Sequence, residues 1–552
     1  MIHKSRLFLR QAVKQSQSRP ASSITLDGHS LTLEQLSQLA TGRTKINIAE
    51  QSWYQITEAR KVVDRLCNSD TPYFGVNTGV GIFANKKLRP EELKEFQIDL
   101  IRSHATGIGE VLPLEASRRI HALRINSLAK GFSGISPSTL TCLTDLFNSG
   151  CVPYIPHFGT VGASGDLVPL SHIGLNLMGE GDLWNPNTLQ YEDAGQVLQQ
   201  MGLKKAQLQA KDGLSLMNGN QFICGIGSMA LEQAIVIMKS IHPISALTFM
   251  SMKGHPSAFD KSIQRMRMHA GQSAVAEIMR ALLPQGETVE NEQDIQDPYS
   301  LKCIPQIHGP TLEAIINTKE CIEIEMNSGS DNPLVFLEEP YIISGANFHG
   351  EYPAKQLDTL GLYVHEIGSL SSQRIKRLTN PVKNVGLPAF LVSQGGLCSG
   401  MMTWENVAAS LVSENKVLCY PASAETAETC ADKEDHVSMG NFSARKALMI
   451  SENVAQIIAV ELLGATQALQ HRFKLEPDFK IPNKGLQRIF ERAKSLSPIL
   501  DNDRYTVPEY QALLSFITTG ELWDMMIDEM PQKFFDIEIP QEYKQSINTN
   551  PF

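Results

Sequence analysis

The chain has 552 residues, 42% of them hydrophobic and 20% charged, a composition that supports a large buried core. Its formal net charge of −10, with no basic stripe carrying interleaved aromatics, excludes a nucleic-acid partner, because phosphate binding needs clustered cations. No uninterrupted apolar run approaches a membrane span, and nine scattered cysteines without a CxxC pair point to a soluble protein of a reducing, cytoplasmic compartment.

Residues 1–25 read as a flexible N-terminal extension. MIHKSRLFLRQAVKQSQSRPASS carries five Lys or Arg and no acid before Asp27. A transit peptide has this composition, but nothing else supports an organelle, so a short solvated tail is the preferred reading. SITLDGHSLTLEQLSQLA then leads from a strand or turn into a helix. YFGVNTGVGIFANKKL, residues 73–88, is a loop by its glycines and Asn77. Helical spacing resumes over 91–104 and 113–130, after which Pro153, Pro156, Gly159, Gly162 and Gly165 punctuate an irregular stretch. Beyond about residue 210 the pattern is long and helical, over 224–252, over 355–378 with a basic turn at Arg374–Arg377, and over 445–470. In the last of these, Val454, Ile457, Ile458, Leu462, Ala465 and Leu469 recur at 3–4 spacing. Helices this long and apolar belong in a bundle. The expected fold is mainly α, with a long-helix bundle core and an irregular N-terminal region. Its expected division is an N-terminal domain over 26–215, then a bundle core and C-terminal helical region over 216–552.

Chemistry is suggested first by GTVGASGDLVPLSH, residues 159–172. A nucleophile elbow needs G-x-S-x-G, whereas Asp166 follows Gly165 here. No HExxH motif is present, and Glu434-Asp435-His436 is too compact to supply three metal ligands from one face, so no metal is expected. GVNTGVG at 75–81 lacks the GK[ST] ending of a phosphate loop. Another reaction fits Ala163-Ser164-Gly165. The glycine amide nitrogen can attack the alanine carbonyl, and loss of two waters leaves the serine as an exocyclic methylidene. Small residues permit that backbone approach, and the product is an electrophile built without an external cofactor.

The sequence resembles the aromatic amino acid ammonia-lyase and aminomutase family, which includes histidine, phenylalanine and tyrosine ammonia-lyases. The resemblance rests on FGVNTGVG (74–81), LIRSHATGIG (100–109), GTVGASGDLVPLSH, GLSLMNGNQ (213–221), QDPYSLKC (296–303), DNPLVF (331–336), SGANFHGE (344–351) and KEDHVSMG (433–440), in the family's order. It implies the cofactor 4-methylidene-imidazol-5-one (MIO), built from Ala163, Ser164 and Gly165. It also implies a homotetramer whose active sites are each assembled from three subunits. By position, Asn218 resembles the asparagine that supports the MIO ring and substrate, Gln296 and Tyr299 the polar pair lining the site, and Phe348 the aromatic beside the cofactor. Glu434 stands where histidine ammonia-lyases carry glutamate, and His104 at the position that contacts the substrate side chain.

Two positions depart from the family pattern. Phe74 replaces the tyrosine that is the favoured base for the β-proton, leaving Tyr73, Tyr299 or Glu434 to take that role. Lys302 replaces the arginine that pairs with the substrate carboxylate, keeping the charge but losing the bidentate fork. The resemblance therefore implies elimination of ammonia from an aromatic L-amino acid. Glu434 and His104 favour histidine. Tyrosine ammonia-lyase stands second, an aromatic amino acid 2,3-aminomutase third, and a catalytically impaired homologue fourth.

Overall fold

The structure is a computed structural model, and it describes residues 22–284, 296–338 and 341–530. Residues 1–21, most of the expected extension, lie outside the described residues. The extension does not reach residue 25, because strand Ser23–Leu26 already pairs in parallel with Lys45–Ile48. The helix joining those strands, Leu33–Ala40, begins with a capping box: Thr32 and Gln35 exchange side-chain and backbone hydrogen bonds.

The architecture is mainly helical, and the described residues form four small sheets, in the N-terminal half and around residue 340. Residues 73–88 form a loop apart from a single 3₁₀ turn at Gly81–Phe83. Helices Leu93–His104 and Leu114–Ala129 lie where the spacing places them. The long helices are Gln221–Ser251, Ile304–Met326, Glu351–Thr379 and Gly440–Leu475.

The described residues form two compact units. One takes in the chain up to Met229, Glu320–Lys355 and Ala422–Arg445; the other takes in Ala230–Lys319, Gln356–Pro421 and the chain from Lys446. Several cuts fall inside long helices, whereas the sequence-based division at 215/216 is a single cut along the chain.

Within the second unit, helix packing depends on glycine where backbones come close. A β-carbon at Gly361 would lie 2.9 Å from Ile450 Cδ1, and one at Gly368 would lie 3.0 Å from both Ile457 Cδ1 and Val454 Cγ2. Small residues at this seven-residue spacing keep one helix face low enough for the aliphatic face of the other. The basic turn at 374–377 is not simply a solvated helix end. Arg374 is fully buried and paired with Glu461, through Nε–Oε1 at 2.6 Å and Nη2–Oε2 at 2.8 Å.

Two helices, Gln221–Ser251 and Gly440–Leu475, are long and apolar enough by length and composition to cross a membrane, although neither is an uninterrupted apolar run. Of the polar residues that interrupt the first run, Ser240, His242 and Ser245 are buried, whereas Glu232, Gln233 and Lys239 are partly exposed. Because 72% and 78% of the two apolar stretches are buried inside the fold, these are core helices.

Candidate active site

The Ala163-Ser164-Gly165 turn belongs to the first unit and is suspended between two other segments. Strand Pro156–Phe158 pairs with Ile108–Val111 on its way in, and helix Leu167–Leu177 starts immediately after Asp166. On one side Asp166 N donates to Gly219 O at 2.6 Å, and the Asp166 carboxylate accepts from Phe222 N and Ile223 N at 3.0 and 3.1 Å. Those amides open the long helix Gln221–Ser251, so their lone N–H groups and the helix dipole meet an acid. On the other side Met439 N donates to Val161 O at 2.9 Å, just ahead of helix Gly440–Leu475.

The glycines of the motif are required by this suspension. Gly165 has φ +77°, and a β-carbon there would sit 2.4 Å from Gly219 O. One at Gly162, φ +73°, would sit 2.3 Å from Ser438 Oγ. Only glycine permits this left-handed backbone in contact with a neighbouring main chain.

Two side chains converge on Ser164. Asn218 Nδ2 donates to the Ser164 carbonyl at 2.8 Å, and the Ser164 hydroxyl donates to Glu434 Oε1. The other carboxylate oxygen of Glu434 accepts from Thr429 Oγ1 at 2.6 Å, and backbone bonds between Thr429 and Glu434 close the turn that presents it. Asn218 is fixed from behind: fully buried Arg124 donates to its carbonyl at 2.6 Å and to Gln221 Oε1 at 2.9 Å. Asn218 Oδ1 is buried and has no hydrogen-bond partner among the described residues. Burial pushes the Asp166 carboxyl up to about 7, against the two amides that favour its ionised form.

The remaining sequence-predicted residues are placed as follows. His104 is half-buried at the end of helix Leu93–His104, its Nδ1 2.8 Å from Leu100 O. A carbonyl only accepts, so Nδ1–H is the donor here, and in the neutral ring Nε2 is left as an acceptor. Tyr73 is half-buried and packs against the apolar cluster of Ala59, Val62, Val63, Leu66, Val76 and Val335. Phe74 and Phe348 are half-buried in the same unit. Gln296, Tyr299 and Lys302 belong to the other unit. Tyr299 is 71% exposed, with Lys302 Nζ 4.9 Å from the centre of its ring. Tyr299 also lines an open cavity of about 630 Å³ that is rich in cations from Lys376, Arg377 and Lys383. Sequence reasoning missed Thr429, Arg124 and Asp166. The first two carry no signal as isolated residues, and Asp166 could have been noticed as an acid next to a turn that must stay buried.

A mainly helical fold that suspends a cyclisable Ala-Ser-Gly turn between the starts of two long helices defines a class of carbon–nitrogen lyases. A sequence model of the aromatic amino acid lyase family matches residues 31–495, and the chain belongs to that family. It is 43% identical to a histidine ammonia-lyase of Caenorhabditis elegans, over 93% of this chain and 76% of the relative. Among solved structures it is similar to the histidine ammonia-lyase of Trypanosoma cruzi, with 41% identity, a TM-score of 0.86, and coverage of 93% of this chain and 96% of the other. The tyrosine aminomutase of Streptomyces globisporus shares the fold at 31% identity and a TM-score of 0.85, over 92% of this chain and 99% of the other.

Proposed function

We propose that this chain is an MIO-dependent ammonia-lyase that converts L-histidine to urocanate and ammonia. The observation that carries the reading is the convergence of Glu434 and Asn218 on Ser164. The residues present fit the cofactor. Cyclisation of Ala163-Ser164-Gly165 retains the Ser164 carbonyl, which Asn218 already holds, and it needs the unhindered glycine that the contact with Gly219 enforces. Once formed, the group supplies an electrophilic methylidene carbon that activates the substrate amine as a leaving group.

The chain's own residues then select and orient the substrate. The unpartnered Asn218 Oδ1 accepts from the substrate ammonium. Glu434, with one oxygen tied to Thr429, offers the other to an imidazole N–H. When the substrate imidazole is protonated, His104 Nε2 accepts from its second N–H. Both acceptors would be left unpaired by a phenyl ring, and that penalty is the basis of discrimination. Lys302 holds the substrate carboxylate as a point charge, Gln296 adds a polar contact, and Phe348 packs beside the ring. Since Phe74 cannot take a proton and Tyr73 packs against the apolar cluster, Tyr299 is assigned as the base for the β-proton. Gln296, Tyr299 and Lys302 are assigned to neighbouring copies in a homotetramer with shared sites, which accounts for the 71% exposure of Tyr299. All nine cysteines are free, as in a reducing, cytoplasmic setting.

The test is to incubate the purified protein separately with histidine, tyrosine and phenylalanine, following urocanate, coumarate and cinnamate by ultraviolet absorbance and β-amino acids by mass spectrometry. Turnover of histidine, with an intact mass lighter by two waters, is expected. Turnover of tyrosine alone selects the tyrosine enzyme, a β-amino acid product selects an aminomutase, and an inert chain with no water lost is an impaired homologue. Phe74→Tyr should leave the rate unchanged if Tyr299 is the base; a faster variant would show that the missing phenol limits the enzyme.

A further inference from the structure

Beside the candidate active site, but outside its chemistry, His349, Glu351 and His436 bring together three metal-ligating side chains whose nearest donor atoms all lie within 4.8 Å of one another. The first two follow Phe348 at the start of helix Glu351–Thr379, and the third lies two residues beyond Glu434. His349 Nε2 is 3.3 Å from the His436 carbonyl, which can only accept. In the tautomer that donates Nε2–H to this carbonyl, Nδ1 is bare and faces Glu351 Oε2 at 3.8 Å. Two acceptors directed at each other at that distance are too far apart to share a proton in a normal hydrogen bond. They are close to the ligand–ligand edge of about 3.4 Å around a tetrahedral ion with Zn–N and Zn–O bonds near 2.0–2.1 Å.

The third donor stands ready. The His436 ring is stacked on His349 with centroids 5.8 Å apart and planes 12° from parallel, and it is exposed, so it can swing toward Nδ1. Outer contacts that usually fix metal ligands are also present: the His349 Nε2–H reaches a carbonyl, and Glu351 Oε1 is held by Lys355 Nζ at 2.8 Å.

We propose that His349, Glu351 and His436 form a divalent-metal site of the zinc class, with water as fourth ligand. Two imidazoles and one carboxylate select borderline ions over calcium or magnesium. Occupancy ties the segment that carries Glu434 to the segment that carries Phe348. It links two walls of the candidate site whatever amino acid that site accepts.

The test uses the full-length protein freed of metal by chelation. Calorimetric titration with zinc chloride should give one equivalent per chain. Cobalt(II) should give the visible bands of a tetrahedral site without a thiolate band. His436→Ala and the near-isosteric Glu351→Gln should each weaken zinc binding at least about tenfold. Cys430→Ser, which removes the one exposed cysteine, should bind as the unaltered protein does. Far-UV circular dichroism without metal confirms that the variants fold. Three results overturn the proposal: no saturable uptake, binding unchanged in either ligand variant, or a thiolate band lost in Cys430→Ser.

Discussion

Around Ser164 the chain is held mainly by its backbone, through Gly165 against Gly219, Asp166 against the first amides of one long helix, and Val161 against Met439 ahead of another. Around Arg374, in the other unit, it is held by side chains: aliphatic residues seated on Gly361 and Gly368, and an ion pair with no solvent exposure that also accepts from Thr248 at 2.9 Å. The first region leaves polar atoms without protein partners, such as Asn218 Oδ1, whereas both oxygens of Glu461 are used. Unspent capacity also occurs near Arg374, at Ser371 Oγ and His308, so what distinguishes Asn218 Oδ1 is its place beside the Ser164 turn and not its lack of a partner alone.

Substitutions should separate the two regions. Ser164→Ala removes the atom that becomes the methylidene. It should cost at least about 10³-fold in kcat and abolish the two-water mass deficit, while the melting temperature stays near that of the parent. Glu461→Gln should do the reverse, leaving a buried Arg374 charge uncompensated at a cost of about 3–5 kcal/mol in chemical denaturation. If Ser164→Ala unfolds the protein, or Glu461→Gln leaves its stability intact, the contrast fails. Glu434→Gln comes next. Losing one charge-assisted bond to an imidazole should lower kcat/KM for histidine by roughly 10- to 100-fold, about 1.5–3 kcal/mol. A smaller loss would mean that Glu434 serves Ser164 and not the substrate.

The same two regions mark what could be read from the sequence. Three of the long helices announced themselves by apolar spacing, whereas Ile304–Met326 was not singled out, and the Ala-Ser-Gly turn was marked by its small residues and ordered neighbours. Long-range pairing is another matter. Arg374 and Glu461 are 87 positions apart, and nothing in either local pattern says that a basic helix end is buried. The same distance in sequence separates His349 from His436, so a search for compact metal motifs passed them over. The packing of half-buried Tyr73 against an apolar cluster is likewise invisible in its local sequence. Local chemistry was legible; orientation and partnership arise only when distant segments close on each other.

Asp166 provides the finest distinction, because it is as buried as Glu461 but has no cation beside it among the described residues. Its folded pKa is raised to about 7 from an ordinary value of 3.8, with burial as the largest cause. A raised carboxyl pKa means that the folded state holds the proton more tightly than the unfolded chain. The stability tied to Asp166 is then fully present below about pH 3.8 and is lost as the pH rises toward about 7. Within that window the loss should be about 1.4 kcal/mol per pH unit at most, levelling off above it. Asp166→Asn keeps an oxygen for Phe222 N and Ile223 N but cannot ionise. The unfolding free energy of the parent should therefore fall relative to the variant between pH 5 and pH 7, as read from urea titrations at each pH. Parallel pH profiles for parent and variant would show that the helix amides offset the cost of burial, and that the Ser164 turn rests on a charged acid after all.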